Sequence, residues 1–396
     1  MSWPLVKLKE ITEMIDYGLT ASAQKDCDGP LFLRITDLAE NGVDWSKVPR
    51  CVCDEKKKKK NLLQSGDIVF ARTGATTGKS YLIRDLGEDT VFASYLIRVR
   101  PSHKVFSPYL AHFFKSPSYW HQIGGMSTGA TLPGVNATKL SELQFPLPPL
   151  DEQKRIAAIL DKADAIRQKR KQAIDLADEF LRSVFLDMFG DPVTNPKGFP
   201  VKVLSQLYID PKNGTKCGPF GSALKKEEFV DEGIPVWSMD NISLSGNFKD
   251  EPKLWVTEEK FNEIDAYSVI DGDVIISRAG TVGKMGVVRT KYSSSLISTN
   301  LIRVRFSEDL LPEYFVSLMT YCKGRVGRLK TGPDGSFTHM NTGILDKLEF
   351  PYPPVELQRK FLKLLADTEK YLDKMSPRQL SELFKSLSQK VFSGQL

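Results

Sequence analysis

Cysteine and histidine are scarce in this chain, and what there is builds no catalytic constellation. Five cysteines (Cys27, Cys51, Cys53, Cys217 and Cys322) are scattered over 396 residues. An odd, dispersed set excludes a disulfide framework. Cys51 and Cys53 could open a metal site, but no His or Cys follows at ligand spacing, so they read as free thiols and no metal is expected. Long apolar runs are missing too; none approaches the ~20 residues of a membrane span. The start, Met1-Ser2-Trp3-Pro4-Leu5-Val6-Lys7, has no signal-peptide layout. The expectation is a soluble, cytoplasmic protein without membrane association. There is no G-x-S-x-G, no H-E-x-x-H and no Asn/Asp-Pro-Pro-aromatic segment, which Asn195-Pro196-Lys197 fails to complete. The net charge of +6 permits a polyanionic partner without demanding one.

What the chain does contain is itself, twice. Gly66-Asp67-Ile68-Val69-Phe70-Ala71-Arg72-Thr73-Gly74 returns as Gly272-Asp273-Val274-Ile275-Ile276-Ser277-Arg278-Ala279-Gly280, an offset of 206. Leu96-Ile97-Arg98-Val99-Arg100 returns unchanged as Leu301-Ile302-Arg303-Val304-Arg305, an offset of 205. Phe145-Pro146-Leu147-Pro148-Pro149 returns as Phe350-Pro351-Tyr352-Pro353-Pro354. Solenoid modules run to roughly 20–50 residues, so this is a duplicated domain. None of His103, His112 and His121 recurs in the second copy, where Ser317 falls opposite His112. A catalytic histidine shared by both halves is therefore not expected.

Four segments follow. Residues 1–149 are strand-rich; Val91–Val99 reads as one strand, and Ser107-Pro108 as the N-cap and first turn of a helix through Phe114. Residues 150–190 lack Gly until Gly190. Leu160, Ala163, Arg167, Arg170, Ile174, Ala177, Leu181, Val184 and Met188 make a heptad seam. About 38 residues at ~1.5 Å each give a helix of roughly 57 Å. Residues 199–354 repeat the strand-rich part. Residues 355–396 repeat the helix, with Leu357, Phe361, Leu364, Thr368, Tyr371 and Met375 in the same rhythm. A break is expected at Ser376, with a second helix from Pro377 to about Phe392. Short connections favour an antiparallel pairing of the two helices as a coiled coil, relating the halves by a pseudo-twofold axis. The fold class is α+β.

Thr73-Gly74-Ala75-Thr76-Thr77-Gly78-Lys79-Ser80 imitates a P-loop but has Thr where the first Gly is needed. Its counterpart Gly280-Thr281-Val282-Gly283-Lys284-Met285 is shorter and lacks the hydroxyl. Both read instead as Gly-rich turns that hold Arg72 and Lys79, or Arg278 and Lys284, where a phosphate could meet them. The run Lys56–Lys60, with Lys57 and Lys58 at its centre, is either a solvated loop tip or a phosphate-contacting loop. Glu258-Glu259-Lys260 carries a nuclease-like E-x-K triplet without an upstream Pro-Asp and reads as an exposed polar segment.

The junction Phe145-Pro146-Leu147-Pro148-Pro149-Leu150-Asp151-Glu152-Gln153-Lys154-Arg155-Ile156-Ala157 is a rigid lead-in followed by an acidic first helical turn. With its second copy, Pro351-Tyr352-Pro353-Pro354-Val355-Glu356-Leu357-Gln358-Arg359-Lys360, it resembles the specificity subunit of type I restriction-modification systems. So do Met188-Phe189-Gly190-Asp191-Pro192 and Val391-Phe392-Ser393-Gly394-Gln395-Leu396, and so do the G-D-[IV]-hydrophobic-x-x-R-x-G segments. The resemblance spans essentially the whole chain. It implies two target-recognition domains that read the two halves of a split sequence in double-stranded DNA, held apart by a coiled-coil spacer; because the loops Gly214–Phe220 and Gly18–Ser22 do not repeat, the two half-sites are expected to differ. It implies no chemistry and no cofactor in this chain. Two methyltransferase subunits carrying S-adenosylmethionine would dock on it, joined by restriction/translocase subunits that use ATP and Mg. The alternative is a nuclease or methyltransferase with built-in recognition, which would bind S-adenosylmethionine or cut DNA by itself.

Overall fold

Both Gly-Asp copies lead into a strand buried along its whole length. The computed structural model describes residues 3–38, 42–74, 76–125, 135–220, 223–243, 246–322, 324–326, 340–373, 386 and 388–392. The chain divides into two units. Unit 1 comprises residues 1–172 with the C-terminal segment from 376, and unit 2 comprises residues 173–375.

Unit 1 carries β1 (Leu5–Lys7), β2 (Thr12–Tyr17), β3 (Leu31–Leu33), α1 (Glu55–Asn61), β4 (Ile68–Ala71), β5 (Ser80–Leu82), β6 (Thr90–Phe92), β7 (Leu96–Pro101), α2 (Ser107–Phe113), α3 (Pro117–Gly125), α4 (Ala137–Ser141) and β8 (Gln144–Pro146). The long α5 (Leu150–Phe189) starts here, and its residues from 173 onward belong to unit 2. Unit 2 continues with β9 (Val201–Val203), β10 (Thr215–Cys217), β11 (Ile234–Trp237), β12 (Trp255–Val256), α6 (Glu258–Glu263), β13 (Ser268–Val269), β14 (Val274–Ser277), β15 (Met285–Val287), β16 (Ser295–Ile297), β17 (Leu301–Val304), α7 (Pro312–Tyr321), α8 (Thr342–Asp346), β18 (Glu349–Pro351) and α9 (Val355–Asp373).

The topology repeats with the sequence. Unit 1 has an antiparallel sheet in the order β2-β7-β4-β5, a parallel pair β3-β6 and an antiparallel pair β1-β8. Unit 2 has β10-β17-β14-β15 and β18-β9, and its parallel pair β11-β16 gains β12 and β13 as flanking strands. This mixture of sheets and packed helices is the α+β class expected.

Alternate residues of the central strands feed two cores, as a two-residue period requires. In unit 1, Ile68, Phe70, Ile97 and Val99 face a core shared with Tyr109, Phe113, Ile156, Leu160 and Phe392. Val69 and Leu96 face the opposite one. In unit 2, Val274, Ile276, Ile302 and Val304 meet Phe185, Phe189, Tyr314 and Phe361, while Ile275 and Leu301 meet Trp237. Each such side chain, fully buried, contributes about 1.5–3 kcal/mol. A phenylalanine from a helix end completes each core. Phe392 lies 5.5 Å from Tyr109 and 5.4 Å from Phe113, and Phe189 lies 4.9 Å from Tyr314.

Two repeated motifs turn out to be internal ties. Arg100 clasps Asp67 through two bonds of 2.8 and 2.7 Å, and Arg305 clasps Asp273 at 2.7 and 2.8 Å. The Gly-Asp segment and the last residue of Leu-Ile-Arg-Val-Arg are thus halves of one ion pair, a buried aspartate with a half-buried arginine. At the helix junctions, Gln153 is buried, accepts from the Phe106 N–H at 2.7 Å and donates to the Pro148 carbonyl at 2.8 Å. Gln358 does the same with Leu311 and Pro353, both at 3.0 Å.

Several expectations change. Val91–Val99 is two strands, because Thr90–Phe92 pairs with β3 and Leu96–Pro101 with β4, so the chain turns at Ala93–Tyr95 between sheets. Ser107 is the first helical residue of α2 and Phe106 its N-cap. Lys56–Lys60 is not a loop; Asp54 caps it by accepting the Lys57 N–H at 2.8 Å, and it becomes α1. Helix α5 is unbroken over 40 residues, about 60 Å. Along the expected seam, Leu160, Leu181 and Phe361 are buried, whereas Ile174, Val184 and Leu364 are half-buried. Tyr371 is 65% exposed in the last described turn of α9. Met375 and the expected break at Ser376-Pro377 lie outside the described residues.

Candidate nucleic-acid interface

A tight turn after a buried strand holds its flanking side chains at a fixed place in water. In unit 1 the turn between β4 and β5 is closed by Ala71 N–H to Lys79 carbonyl and Gly78 N–H to Ala71 carbonyl, both 2.9 Å. The Tyr119 hydroxyl donates to the Gly78 carbonyl at 2.6 Å and anchors the turn from below. Arg72 and Lys79 emerge exposed at its two feet. The Arg72 guanidinium lies 4.9 Å from the centre of the Tyr17 ring, and its N–H donates to the Tyr95 carbonyl at 3.1 Å. Tyr95 is 60% exposed. Among the described residues, neither Arg72 nor Lys79 forms an ion pair.

Unit 2 rebuilds this arrangement from different residues. The turn between β14 and β15 is closed by Ser277 N–H to Lys284 carbonyl at 2.7 Å and Gly283 N–H to Ser277 carbonyl at 2.8 Å. Arg278 sits 4.0 Å from the Phe220 ring centre. Its Nε donates to the Thr299 carbonyl and its N–H to the Asn300 carbonyl, each at 3.0 Å. Asn300 therefore stands where Tyr95 stands in unit 1. Lys284 differs from Lys79: it is half-buried, and its Nζ donates to the Met239 carbonyl at 2.8 Å. Two glycines allow the aromatic side to close in. A Cβ at Gly18 would strike the Phe92 carbonyl, and one at Gly218 the Ser298 carbonyl.

A cation flanked by an exposed aromatic and a polar or aromatic neighbour suits groove reading. Arginine serves either a phosphate or the edge of guanine, an asparagine amide matches adenine, and ring faces meet methyl groups or unstacked bases. The sequence pattern pointed to Arg72, Lys79, Arg278 and Lys284. It missed Tyr17, Tyr95 and Asn300. Tyr95 lies inside an apolar run that reads as core, and only the turn at Ala93–Tyr95 brings it to the surface.

The remaining candidates fall elsewhere. Lys57 is exposed and pairs with its own cap Asp54 at 3.2 Å, and Lys58 pairs with Asp89 at 2.8 Å. Exposed pairs of this kind are worth about 0–1 kcal/mol, so a phosphate can displace them. The matching helix α6, Glu258–Glu263, is acidic. Its Lys260 is not exposed but buried, held by Glu228 at 2.8 Å and Glu263 at 3.0 Å. His112 is a buried histidine 2.9 Å from Asp161. Burial pushes it below its ordinary range, partly offset by that carboxylate. All five cysteines are free; burial, helped by neighbouring Cys53, pushes the Cys51 thiol up to about 12. Among the described residues no His, Cys, Asp and Glu cluster could hold a metal, and no helix is long and apolar enough to cross a membrane.

Comparison with known proteins agrees with this duplicated layout. The family model described as the type I restriction modification DNA specificity domain matches residues 2–176 and again 220–383. The putative type I restriction enzyme MjaX specificity subunit of Methanocaldococcus jannaschii is 25% identical over 416 residues, covering 100% of this chain and 93% of that protein. The EcoKI specificity subunit of Escherichia coli K12 is 24% identical over 437 residues, covering 100% and 89%. Among solved structures, the S subunit of a type I restriction-modification system from M. genitalium superposes with a TM-score of 0.57 at 15% identity, covering 98% of this chain and 96% of that one. A chain from a structure of type I R-M complex assembly and conformational transition gives 0.53 at 18% identity, covering 100% and 98%.

Proposed function

Since this chain belongs to the family of type I restriction-modification DNA specificity domains, we propose that it selects the DNA sequence on which such a complex acts. It is a recognition subunit with two target-recognition domains, and the chemistry belongs to its partners. The recognition domains correspond to residues 1–149 and 199–354, and the spacer regions to 150–190 and 355–396. The reading rests on one observation above the others: the same hairpin, in both units, carries an arginine stacked on an aromatic ring. Arg72, Lys79 and Arg278 contact DNA, with Lys57 and Lys58 as a further phosphate contact on unit 1. Lys284, bonded to the Met239 carbonyl, supports its turn and contributes less to binding.

The partners are double-stranded DNA, two methyltransferase subunits with S-adenosylmethionine, and restriction/translocase subunits with ATP and Mg, all in the cytoplasm. Coexpressing the chain with its methyltransferase partner and mapping methylated positions across the genome tests this. A bipartite motif that appears only when the chain is present supports it. Methylation independent of the chain, or DNA cleavage by the chain alone, overturns it.

A further inference from the structure

One buried arginine is fully satisfied in unit 1 and stripped of its carboxylate in unit 2. Arg98 is 0% exposed. Its register partner across the β2-β7 ladder is Asp16. Arg98 Nε donates to one Asp16 oxygen at 3.0 Å and its terminal nitrogen to the other at 2.7 Å. The Leu62 and Lys60 carbonyls take further bonds at 2.8 and 3.0 Å. In unit 2 the same place is Arg303, 4% exposed. Its terminal nitrogens still find carbonyls, of Ser268 and Asn213, both at 2.9 Å. Its register partner across the β10-β17 ladder, however, is Lys216. Arg303 Nε has no partner at all.

Directly opposed cations on one sheet face repel, and a buried charge left unpaired is costly. The two nearby carboxylates offset the repulsion only in part, and neither bonds Arg303. Asp273 is clasped by Arg305, and Asp210 accepts the Lys212 and Asn213 N–H groups at 2.8 and 2.7 Å. Burial, and then Arg305, push Arg303 below its ordinary range. Lys216 is half-buried, with its Nζ 5.3 Å from the centre of the Tyr267 ring and no ion pair among the described residues. The chain runs on from β10 through Gly218 to Phe220, whose ring lies against Arg278.

We propose that Lys216, with the uncompensated Arg303 behind it, forms a phosphate-binding site for the DNA backbone on unit 2 that unit 1 lacks. The site rests on the DNA-recognition reading above and deepens it. Lys216 makes the contact; Arg303 is a positioning residue, whose charge, offset only in part by Asp273 and Asp210, repels Lys216 and adds to the positive field of the site. An arriving phosphodiester supplies the anion that Asp16 supplies permanently in unit 1.

The test is Lys216→Asp in the full chain, which recreates the pair of unit 1. Thermal unfolding and binding to random-sequence duplex DNA are measured together, across a salt series, with Lys216→Gln alongside. Lys216→Asp is expected to raise the melting temperature yet weaken binding. Lys216→Gln is expected to flatten the slope of log K against log salt by about 0.9. A raised melting temperature with unchanged affinity and slope in both variants overturns the site. So does weakened binding confined to a duplex carrying the mapped target, with the slope intact, because that marks a base contact. Should Lys216→Asp fail to fold, the slope of Lys216→Gln decides. Wild-type chain with no salt-dependent DNA binding would instead sink the recognition reading itself.

Discussion

Gln153 and Gln358 show how much one side chain ties together at the start of each long helix. Each is buried and bonded to two separate stretches of backbone. Replacing Gln358 with Leu preserves bulk but orphans the Leu311 N–H and the Pro353 carbonyl. A buried orphan costs about 1–3 kcal/mol, so urea denaturation should show unit 2 destabilised by that order, and Gln153→Leu should do the same to unit 1. An unchanged midpoint would mean that water satisfies these groups. His112 gives a pH dependence. Its folded pKa is lowered by burial below the ordinary histidine value of 6.5, so the unfolded chain binds the proton more readily. Stability from this group is complete above about pH 6.5 and is lost as the pH falls through the lower folded value. His112→Ser, which copies Ser317, should lessen the loss of stability between about pH 7.5 and 5.5. An identical acid sensitivity in the variant would remove His112 from the account.

At the scale of elements, the two hairpins make a sharper comparison than the residues alone. Arg72→Ala, Lys79→Ala and Arg278→Ala should each weaken DNA binding on all sequences and flatten the salt slope by about one. Lys284→Ala should instead lower stability, because it removes the bond to Met239. Loss of preference at a single base position, with the slope intact, would reassign an arginine to base reading. Much of this layer was legible in the sequence. The doubled strand-turn segments, the helix of residues 150–189 and the glutamine-bearing junctions all stand where pattern placed them. The helix that houses Lys56–Lys60 did not, because a five-lysine run has no apolar stripe and only the Asp54 cap reveals it. The turn at Ala93–Tyr95 was hidden because both strands it joins are apolar, and periodicity cannot see a change of partner sheet. Arg303 was hidden for a related reason: Leu-Ile-Arg-Val-Arg is identical in both copies, and the difference lies across the ladder, in Asp16 and Lys216.

For the whole molecule, that difference joins others. α1 is basic where α6 is acidic, Tyr95 stands where Asn300 stands, and Tyr17 does for Arg72 what Phe220 does for Arg278. A repeated frame with unlike reading edges should recognise two unlike half-sites, so the mapped methylation motif should be asymmetric; a palindrome would refute this. The length of the unread gap is a separate matter. If α5 sets it, four residues inserted after Ala173, about 6 Å of helix, should widen the gap by one or two base pairs at ~3.4 Å each while both half-sites keep their sequences. An active insertion mutant that keeps the parental gap would show that the helix only tethers.

The phenylalanine that completes unit 1 comes from beyond unit 2. Unit 2 is one uninterrupted stretch, residues 173–375, whereas unit 1 needs residues 1–172 and then Val391 and Phe392. During synthesis, then, the half made first must wait for residues made after unit 2. Unit 2 can close its core around Phe189 and Phe361 while unit 1 still shows Tyr109 and Phe113 to solvent. A chain stopped at residue 375 should therefore keep unit 2 protected from protease and leave unit 1 open to it, so the half begun first is the half closed second.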